Sequence, residues 1–324
     1  MIKYTDKKWV LIQQIYGGKW GVPDINLPWT NDTNISLAKM LRATGDHFAN
    51  QDVDLDADIY ILVLFGTEDY EQKIEFIKKV KAKGAKVILC VSSDMRFLTG
   101  EGLLSGTGLN YTHICEQVDM IWSQVPSHVK LYGRYQHKVI DVGVMLEHVN
   151  FSLPYEQRDI DILLSGSIFR NEATLSFALE IMMMLKEKYP DKRIVYPTQY
   201  KSILQSIYPQ IEFINASDIS FTDGLVPLLK RAKYYINPEL RPNAGRAMVE
   251  SFYCRTPYVC SSLSFPSRYY PDFTYDYMSL EHIVNQYERM LNSDREEIIR
   301  KSEKLAEEDY FDKAIVRVME RLYS

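Results

Sequence analysis

The sequence predicts an α/β protein with two doubly wound parallel sheets. Short apolar runs alternate with longer segments of helical periodicity along both halves of the chain, a pattern typical of parallel sheets covered by helices on both faces. The length, 324 residues, favours two domains, because one domain usually spans about 100–150 residues. A polar, proline-bearing stretch, Asn150 to Arg158, separates the two alternating series and is the predicted linker.

The first series predicts the N-terminal domain, residues 1–149. Its apolar runs predict five strands, at Trp9 to Ile15, Ile59 to Phe65, Lys86 to Val91, Met120 to Ser123 and Val139 to Val142. Helical periodicity predicts helices at Ser36 to Ala49 and Tyr70 to Lys83. Ligands of open parallel sheets bind beyond the carboxyl ends of the strands, so the loops that follow these strands are candidate binding loops.

The second series predicts the C-terminal domain, residues 159–304, after the linker at 150–158. Its predicted strands are Ile160 to Ser165, Arg193 to Tyr196, Ile211 to Ile214, Tyr234 to Asn237 and Tyr258 to Ser261, and its clearest helix is Glu172 to Lys188. The charged segment Arg295 to Tyr323 predicts two amphipathic helices with no strand after them. We expect the last helix, residues 305–324, to pack back toward the N-terminal domain. Two such domains facing each other would place a ligand site in the cleft between them.

The composition disfavours several classes of protein. A net charge of −5 and a pI near 5.8 argue against an extended nucleic-acid surface, which needs clustered Lys and Arg. The four cysteines show no metal-binding or redox spacing, which predicts a reducing, cytoplasmic location. No segment approaches the ~20 apolar residues of a membrane-spanning helix, and the N-terminal apolar run is too short for a signal peptide.

A lone carboxylate, Glu250, lies within the helix predicted after the fourth strand of the second domain. That helix is predicted to begin near Asn243. Its first backbone N–H groups, at Ala244, Gly245 and Arg246, would bind an anion such as a diphosphate. The alternative is structural: Gly245 is a turn glycine, and Arg246 forms an ion pair with Glu250 worth about 0.3–0.5 kcal/mol. The residues themselves leave both interpretations open.

The segment that contains this helix, RAKYYINPELRPNAGRAMVESFYCRTPYVCSS, resembles the donor-binding segment of GT-B glycosyltransferases of the retaining, glycogen-synthase-like class, family four in particular. The residues in register with the pattern of that family are Ala232, Pro238, Gly245, Glu250 and Pro257. The resemblance implies the GT-B fold, in which two Rossmann-like domains face a central cleft. It also implies that Glu250 binds the ribose hydroxyls of a nucleotide sugar.

Three positions depart from the family pattern. Pro242 stands where the family has the first glutamate of its E-x7-E pair, and Glu239 is the nearest substitute. Ala244 replaces the phenylalanine of E-G-F-G, and Arg255 replaces a glycine. The resemblance implies a retaining reaction, whereas these departures leave the donor sugar and the stereochemical outcome open.

The stretch after the linker, DIDILLSGSIFRNEATLSFALEIM, is similar to the first strand of the family's nucleotide domain and the loop that follows it. Gly166 matches that loop, and Arg170 lies near the usual position of a basic residue that binds the diphosphate. This class works without a bound metal, and cations then neutralise the diphosphate. The resemblance therefore implies no metal and no cofactor, with the nucleotide-diphosphate sugar as co-substrate. A surface role for Arg170 remains the alternative.

Two further candidates lie in the first domain. QQIYGGKWGVP places Gly17 and Gly18 after the first strand, where the family often has a Gly-Gly loop that faces the donor phosphates and the acceptor. Asp94 follows another strand, in VILCVSSDMRF. A carboxylate there would serve as a general base or orient an acceptor hydroxyl, and it would equally cap the next helix. Both interpretations of Asp94 stay open.

Together these features predict a cytoplasmic glycosyltransferase, a hexosyl- or pentosyltransferase that moves a sugar from a nucleotide-sugar donor to an acceptor hydroxyl with retention and without a metal. The acceptor is a glycan, a small molecule or, with less support from the acidic pI, modified DNA. Three alternatives remain open. They are a glycosyltransferase acting on hydroxymethylated DNA bases, a non-catalytic nucleotide-sugar-binding relative, and a GT-B epimerase.

Overall fold

The structure is a computed structural model that describes residues 3–13, 33–47, 56–63, 70–91, 107–124, 126–166, 172–219, 223–239, 245–276 and 279–324. The described residues form two compact units. The first unit comprises the described residues up to 147 together with 308–324, and the second comprises those from 148 to 307.

The first unit contains a six-stranded parallel sheet. Its strands are β1 (Trp9–Gln13), β2 (Thr44–His47), β3 (Ile59–Val63), β4 (Lys86–Val91), β5 (Met120–Ser123) and β6 (Val139–Ile140). Their order across the sheet is β2-β1-β3-β4-β5-β6, and every neighbouring pair is parallel. Parallel neighbours require crossover connections, which the alternating pattern of the sequence predicts.

Helices cover both faces of this sheet. The described helices of the first unit are α1 (Thr33–Leu41), α2 (Tyr70–Ala82), α3 (Thr107–Gln117) and the C-terminal α10 (Phe311–Tyr323). One face, which includes Trp9 and Leu11, packs against α1 and α10, and the other, which includes Val10 and Ile12, packs against α2 and α3. Burial on both faces explains why the strands appear in the sequence as nearly continuous apolar runs.

The predicted helix from Ser36 to Ala49 is wrong in its second half. The helix ends before Arg42, and Thr44–His47 forms the edge strand β2 beside β1. Arg42 has a left-handed backbone conformation (φ 54°), and the N–H of Ala43 donates to the carbonyl of Ala38 at 2.8 Å. Glycine usually occupies the left-handed position of this helix cap, so an arginine there provides no stop signal in the sequence.

The second unit contains another six-stranded parallel sheet. Its strands are β7 (Ile160–Leu164), β8 (Ile194–Thr198), β9 (Glu212–Asn215), β10 (Ala232–Ile236), β11 (Tyr258–Ser261) and β12 (Thr274–Tyr275). Their order is β12-β11-β10-β7-β8-β9, and every neighbouring pair is parallel. The apolar runs predict five of these strands, whereas the two-residue edge strand β12 is too short for periodicity to reveal.

Six α-helices lie among the described residues of the second unit. They are α4 (Glu172–Lys188), α5 (Lys201–Ile207), α6 (Val226–Leu229), α7 (Arg246–Tyr253), α8 (Leu280–Leu291) and α9 (Arg295–Ala306). The carboxylate of Asp294 caps α9 by accepting the backbone N–H groups of Glu296 and Glu297 at 2.9 and 3.3 Å. Helices α9 and α10 are the two that the charged C-terminal segment predicts, and α10 contributes buried Ala314, Ile315 and Val318 to the core of the first unit.

Candidate functional site

The loop that contains Gly166 and the segment that leads to the helix of Glu250 begin at the same edge of the second sheet. Gly166 follows β7, and the segment that leads into α7 follows β10. β7 and β10 are neighbours, with Leu164 paired to Ile236 at the carboxyl ends of the two strands. In an open parallel sheet this carboxyl edge is where ligands bind.

A chain of hydrogen bonds fixes the carboxyl end of β10. The side-chain oxygen of Asn237 accepts the backbone N–H of Glu239 at 2.9 Å, which forms a tight turn around Pro238. The hydroxyl of Tyr275, in β12, donates to the carbonyls of Asn237 and Glu239 at 2.6 and 3.0 Å. The backbone that leaves β10 is therefore held before the chain reaches α7.

Tyr235 connects this turn to β7. Its hydroxyl donates to the carbonyl of Ser165 at 2.7 Å and accepts the side-chain N–H of Asn237 at 3.1 Å. Burial raises the pKa of Tyr235 well above its usual range, and the negative charges of Glu239 and Glu250 raise it further. Both carboxylates therefore lie close enough to act electrostatically on the same hydroxyl at this edge.

Gly245, the N-cap residue immediately before α7, has a conformation that only glycine adopts easily. Its φ is 68°, in the left-handed region, and the residue is buried. A Cβ atom added at Gly245 would lie 2.5 Å from Cδ of Pro266 and 2.7 Å from Cε of Met248. A glycine is thus required here by packing within the second unit, whatever approaches the helix N-terminus from outside.

Glu250 is a buried carboxylate, with 2% of its surface exposed. Its Oε2 atom accepts the backbone N–H of Leu225 at 2.7 Å, and its Oε1 atom lies 3.7 Å from Nε of Arg246. The first contact is a hydrogen bond, whereas the second is an ion pair too long to be one. The i,i+4 pair that the sequence offered as an alternative is therefore present, together with a longer-range contact to Leu225.

The environment of Glu250 favours its neutral form. Burial raises the pKa of Glu250 to about 7, and the charge of Arg246 and the N–H of Leu225 partly oppose that rise. An ionised carboxylate accepts up to about four hydrogen bonds, so Glu250 has acceptor capacity beyond its contact with Leu225. Near neutral pH the Glu250 side chain can therefore accept hydrogen bonds from a ligand.

The structure describes four of the residues that the sequence predicts for the site, Gly166, Gly245, Arg246 and Glu250. The other predicted residues, Gly17, Gly18, Asp94, Arg170, Asn243 and Ala244, lie outside the described residues, and their roles stay predictions.

Sequence analysis missed the residues that support Glu250 and the β10 turn. The amide of Leu225 is 25 positions from Glu250, and the hydroxyl of Tyr275 is 38 positions from Asn237. No spacing rule predicts such distant partners. The pair Asn237-Pro238 at the end of an apolar run was the one available signal, because Asn before Pro favours a turn.

Metal ligands, membrane spans and thiols are the other features that bear on function. Within the described ranges, no group of three or more His, Cys, Asp or Glu side chains is arranged to hold a metal ion. None of the described helices combines the length and apolar character needed to cross a membrane. All four cysteines are buried and free, and burial raises the pKa of Cys90 and of Cys115 to about 12.

No protein-family model matches the chain, and no curated protein sequence matches it. Solved structures do match. HepE from Anabaena, in complex with UDP, aligns with a TM-score of 0.66 and 10% identity over 97% of this chain and 99% of HepE. An alpha-glucosyltransferase in complex with UDP and a 13-mer DNA aligns with a TM-score of 0.57 and 11% identity over 98% of this chain and 100% of that enzyme. TarM, known from S. aureus, aligns with a TM-score of 0.64 and 10% identity over 82% of this chain.

The chain spans about half the length of several matched structures, for example 53%, 55% and 56% of three of them. At identities near 10%, the likeness establishes the fold alone. The two parallel sheets and the structural matches together confirm the GT-B fold that the sequence predicts.

Proposed function

We propose that this chain is a glycosyltransferase that binds a nucleotide-diphosphate sugar at the carboxyl edge of the second sheet and moves the sugar to an acceptor hydroxyl. The GT-B fold supports the proposal, since HepE and the alpha-glucosyltransferase match along their whole length and are both in complex with UDP. A UDP-sugar is therefore the proposed donor.

The observation that supports the proposal most strongly is the burial, hydrogen bonding and raised pKa of the Glu250 carboxylate. It is 2% exposed, accepts one short hydrogen bond from Leu225, and has a pKa raised to about 7 by burial. Two neighbouring hydroxyl groups, such as the diol of a ribose, would donate to its remaining acceptor positions and favour the charged form. A ligand diol would thereby offset the free energy cost of burying the Glu250 carboxylate, which the protein groups offset only in part.

We assign roles to the other predicted site residues from their positions in the chain. Diphosphate binding is assigned to Gly166, Arg170 and the start of α7, Asn243, Ala244, Gly245 and Arg246, and the acceptor side to Gly17, Gly18 and Asp94. In the transfer, the bond between C1 of the sugar and the diphosphate oxygen breaks, and a bond from the acceptor oxygen to C1 forms with retention. Asp94 takes the acceptor proton, and the diphosphate leaves with the bonding electrons.

Titration calorimetry with UDP tests the donor site. The substitution Glu250→Gln should weaken UDP binding about 10- to 150-fold, because a hydrogen bond to a charged group contributes about 1.5–3 kcal/mol. Glu180→Gln, at an exposed position of α4, is the matched control and should keep the wild-type affinity. Equal UDP affinity in the wild type and Glu250→Gln would contradict the proposal.

Release of UDP from UDP-glucose or UDP-N-acetylglucosamine tests turnover. Metal-independent transfer predicts that release persists in EDTA, since helix N–H groups and arginine side chains are proposed to stabilise the departing diphosphate. A complete loss of release in EDTA that magnesium or manganese restores would overturn the metal-free part of the proposal.

Modified DNA is the second candidate acceptor, because one full-length structural match is an alpha-glucosyltransferase in complex with UDP and DNA. The net charge of −5 weighs against it, since DNA binding rests on clustered cations. Binding of a short DNA duplex that weakens steeply with added salt would favour this acceptor. An absence of binding at low salt would remove it.

A further inference from the structure

The first sheet has a buried amide at its own carboxyl edge. Gln124 directly follows β5, and its backbone N–H donates at 3.0 Å to the carbonyl of Val91, the last residue of β4. Only 1% of its surface is exposed. Gln124 therefore lies where the neighbouring strands β4 and β5 end, at the edge where open parallel sheets bind ligands.

One end of this amide is unpaired among the described residues. Nε2 of Gln124 lies 3.5 Å from Sγ of Cys90, and Oε1 has no hydrogen-bond partner among the residues that the structure describes. Burial raises the pKa of the Cys90 thiol to about 12, so the sulfur carries its proton. Among the described residues, the amide oxygen of Gln124 therefore has hydrogen-bonding capacity that the fold does not use.

A buried amide without a hydrogen-bond partner contributes less to the stability of the fold than an apolar side chain of the same size would. Burying a polar group without a partner destabilises a protein, and nearly all buried polar groups are paired. Methionine has the same unbranched length as glutamine and carries no such penalty. A buried polar group that lowers the stability of the protein and lies at a ligand-binding edge indicates a functional role.

We propose that the amide of Gln124 binds a hydroxyl group of the acceptor, which is a sugar or another polyol. The inference rests on the proposed function, and it deepens that function by adding a residue of the acceptor side. Val91 precedes Asp94, the proposed base, by three positions in the chain. The unpaired amide oxygen accepts a hydrogen bond and so matches a neutral hydroxyl, which donates one, whereas a charged acceptor group would need an opposite charge.

Gln205 provides a matched control in the second unit. Its Nε2 donates to the carbonyl of Ile211 at 2.8 Å, and its Oε1 accepts the backbone N–H of Phe213 at 3.1 Å. Both ends of this amide are thus paired within the protein. Gln205 is a glutamine with a structural role, against which Gln124 can be compared directly.

Thermal unfolding of the full chain tests whether the Gln124 amide is unpaired. Gln124→Met should leave the melting temperature unchanged or raise it by about 2–4 °C, whereas Gln205→Met should lower it by a similar amount or more, because it strands a buried N–H and a buried carbonyl. If Gln124→Met lowers the melting temperature as much as Gln205→Met does, the fold or a bound water already satisfies the amide, and the proposal is wrong.

Release of UDP from UDP-glucose tests the acceptor role, with methyl α-D-glucopyranoside as the acceptor probe. Gln124→Met should raise the KM for the probe about 3- to 10-fold, the loss expected for one neutral hydrogen bond. Gln205→Met, measured below its melting temperature, should keep the wild-type KM. The same KM in all three proteins, or a wild-type enzyme whose UDP release the probe does not increase, would overturn the proposal.

The two proposals fail in different ways. If the wild-type protein does not bind UDP, the proposed function is wrong. If it binds UDP and turns over UDP-glucose while the KM for the probe is the same in Gln124→Met, only the role of Gln124 is wrong.

Discussion

The polar groups at the carboxyl edges of the two sheets differ in how fully they are hydrogen-bonded. In the second sheet, the polar groups of Tyr235, Asn237 and Tyr275 pair with one another and with backbone carbonyls. In the first sheet, the amide of Gln124 has one end unpaired among the described residues. The difference indicates that the fold itself preorganises the proposed donor edge, whereas a ligand has to complete the proposed acceptor edge.

Each edge nevertheless contains one buried polar side chain that the described protein groups satisfy only in part. These are Glu250, with one short hydrogen bond and a pKa raised to about 7, and Gln124. Gln124 directly follows β5, and Glu250 lies in the helix that follows β10, so both come after strands whose carboxyl edges are where open parallel sheets bind ligands. We interpret both as binding groups whose free energy cost is offset when substrate is present.

The opposite, amino edge of the second sheet sharpens this comparison, because the buried guanidinium there, that of Arg158, donates four hydrogen bonds to protein groups. The Arg158 guanidinium donates to the carbonyls of Leu153, Ala232 and Cys254 at 3.1, 2.7 and 2.7 Å, and to the hydroxyl of Thr256 at 2.6 Å. Burial lowers the pKa of Arg158 to about 10, and the charge of Arg295 lowers it further. These contacts use four of the five N–H groups of the guanidinium, so protein acceptors bind most of its hydrogen-bonding capacity.

The largest expected loss of stability follows from this arrangement. Arg158→Met should lower the free energy of unfolding by about 3–5 kcal/mol, because it leaves several buried acceptors without a donor. Arg300→Met, at an exposed position of α9, should change it by no more than about 0.5 kcal/mol. Urea unfolding at constant pH measures both free energies of unfolding. Equal losses in Arg158→Met and Arg300→Met would show that the amino edge is not a structural edge, and the comparison with the ligand-binding edge would fail.

A smaller effect separates paired from unpaired hydroxyls within the second unit. Tyr275→Phe should lower the free energy of unfolding by about 1–2 kcal/mol, because the Tyr275 hydroxyl donates to two carbonyls. The hydroxyl of Tyr196 is buried and has no partner among the described residues, so Tyr196→Phe should be neutral or slightly stabilising. Urea unfolding again measures both. A greater loss for Tyr196→Phe would show that the preorganised edge has been misidentified.

The sequence was informative wherever one local pattern decides the structure. Strands buried on both faces appear as apolar runs, and such runs predict ten of the twelve strands found among the described residues. The two exceptions are edge strands. β2 has the sequence TGDH, in which Gly and Asp disfavour a strand, and β12 has only two residues. Pairing with a neighbouring strand, rather than local preference, forms both.

Helix ends and distant hydrogen bonds were beyond prediction for related reasons. Arg42 and Arg255 both follow a helix with positive φ, 54° and 50°, where glycine is the usual signal. Glu250 and Gly245 were predicted from a family pattern. Their partners Leu225 and Pro266 come from other parts of the chain, and only the fold brings them together.

The central claim is that Glu250 destabilises the free protein and binds the donor. Its pKa rises from 4.5 in the unfolded chain to about 7 in the folded protein, so the folded state holds the proton over this range and the unfolded state does not. Wild-type stability should therefore fall as the pH rises through this window. Glu250→Gln removes the effect and should be more stable than the wild type by about 3 kcal/mol near pH 8, with little difference near pH 4.

The decisive measurement is urea unfolding of the wild type and Glu250→Gln at about pH 8, each with and without UDP. We expect the variant to be the more stable protein without UDP, and we expect UDP to stabilise the wild type far more than the variant. A variant that is less stable than the wild type at this pH, and that UDP stabilises equally, would make Glu250 a structural ion-pair residue and contradict the account.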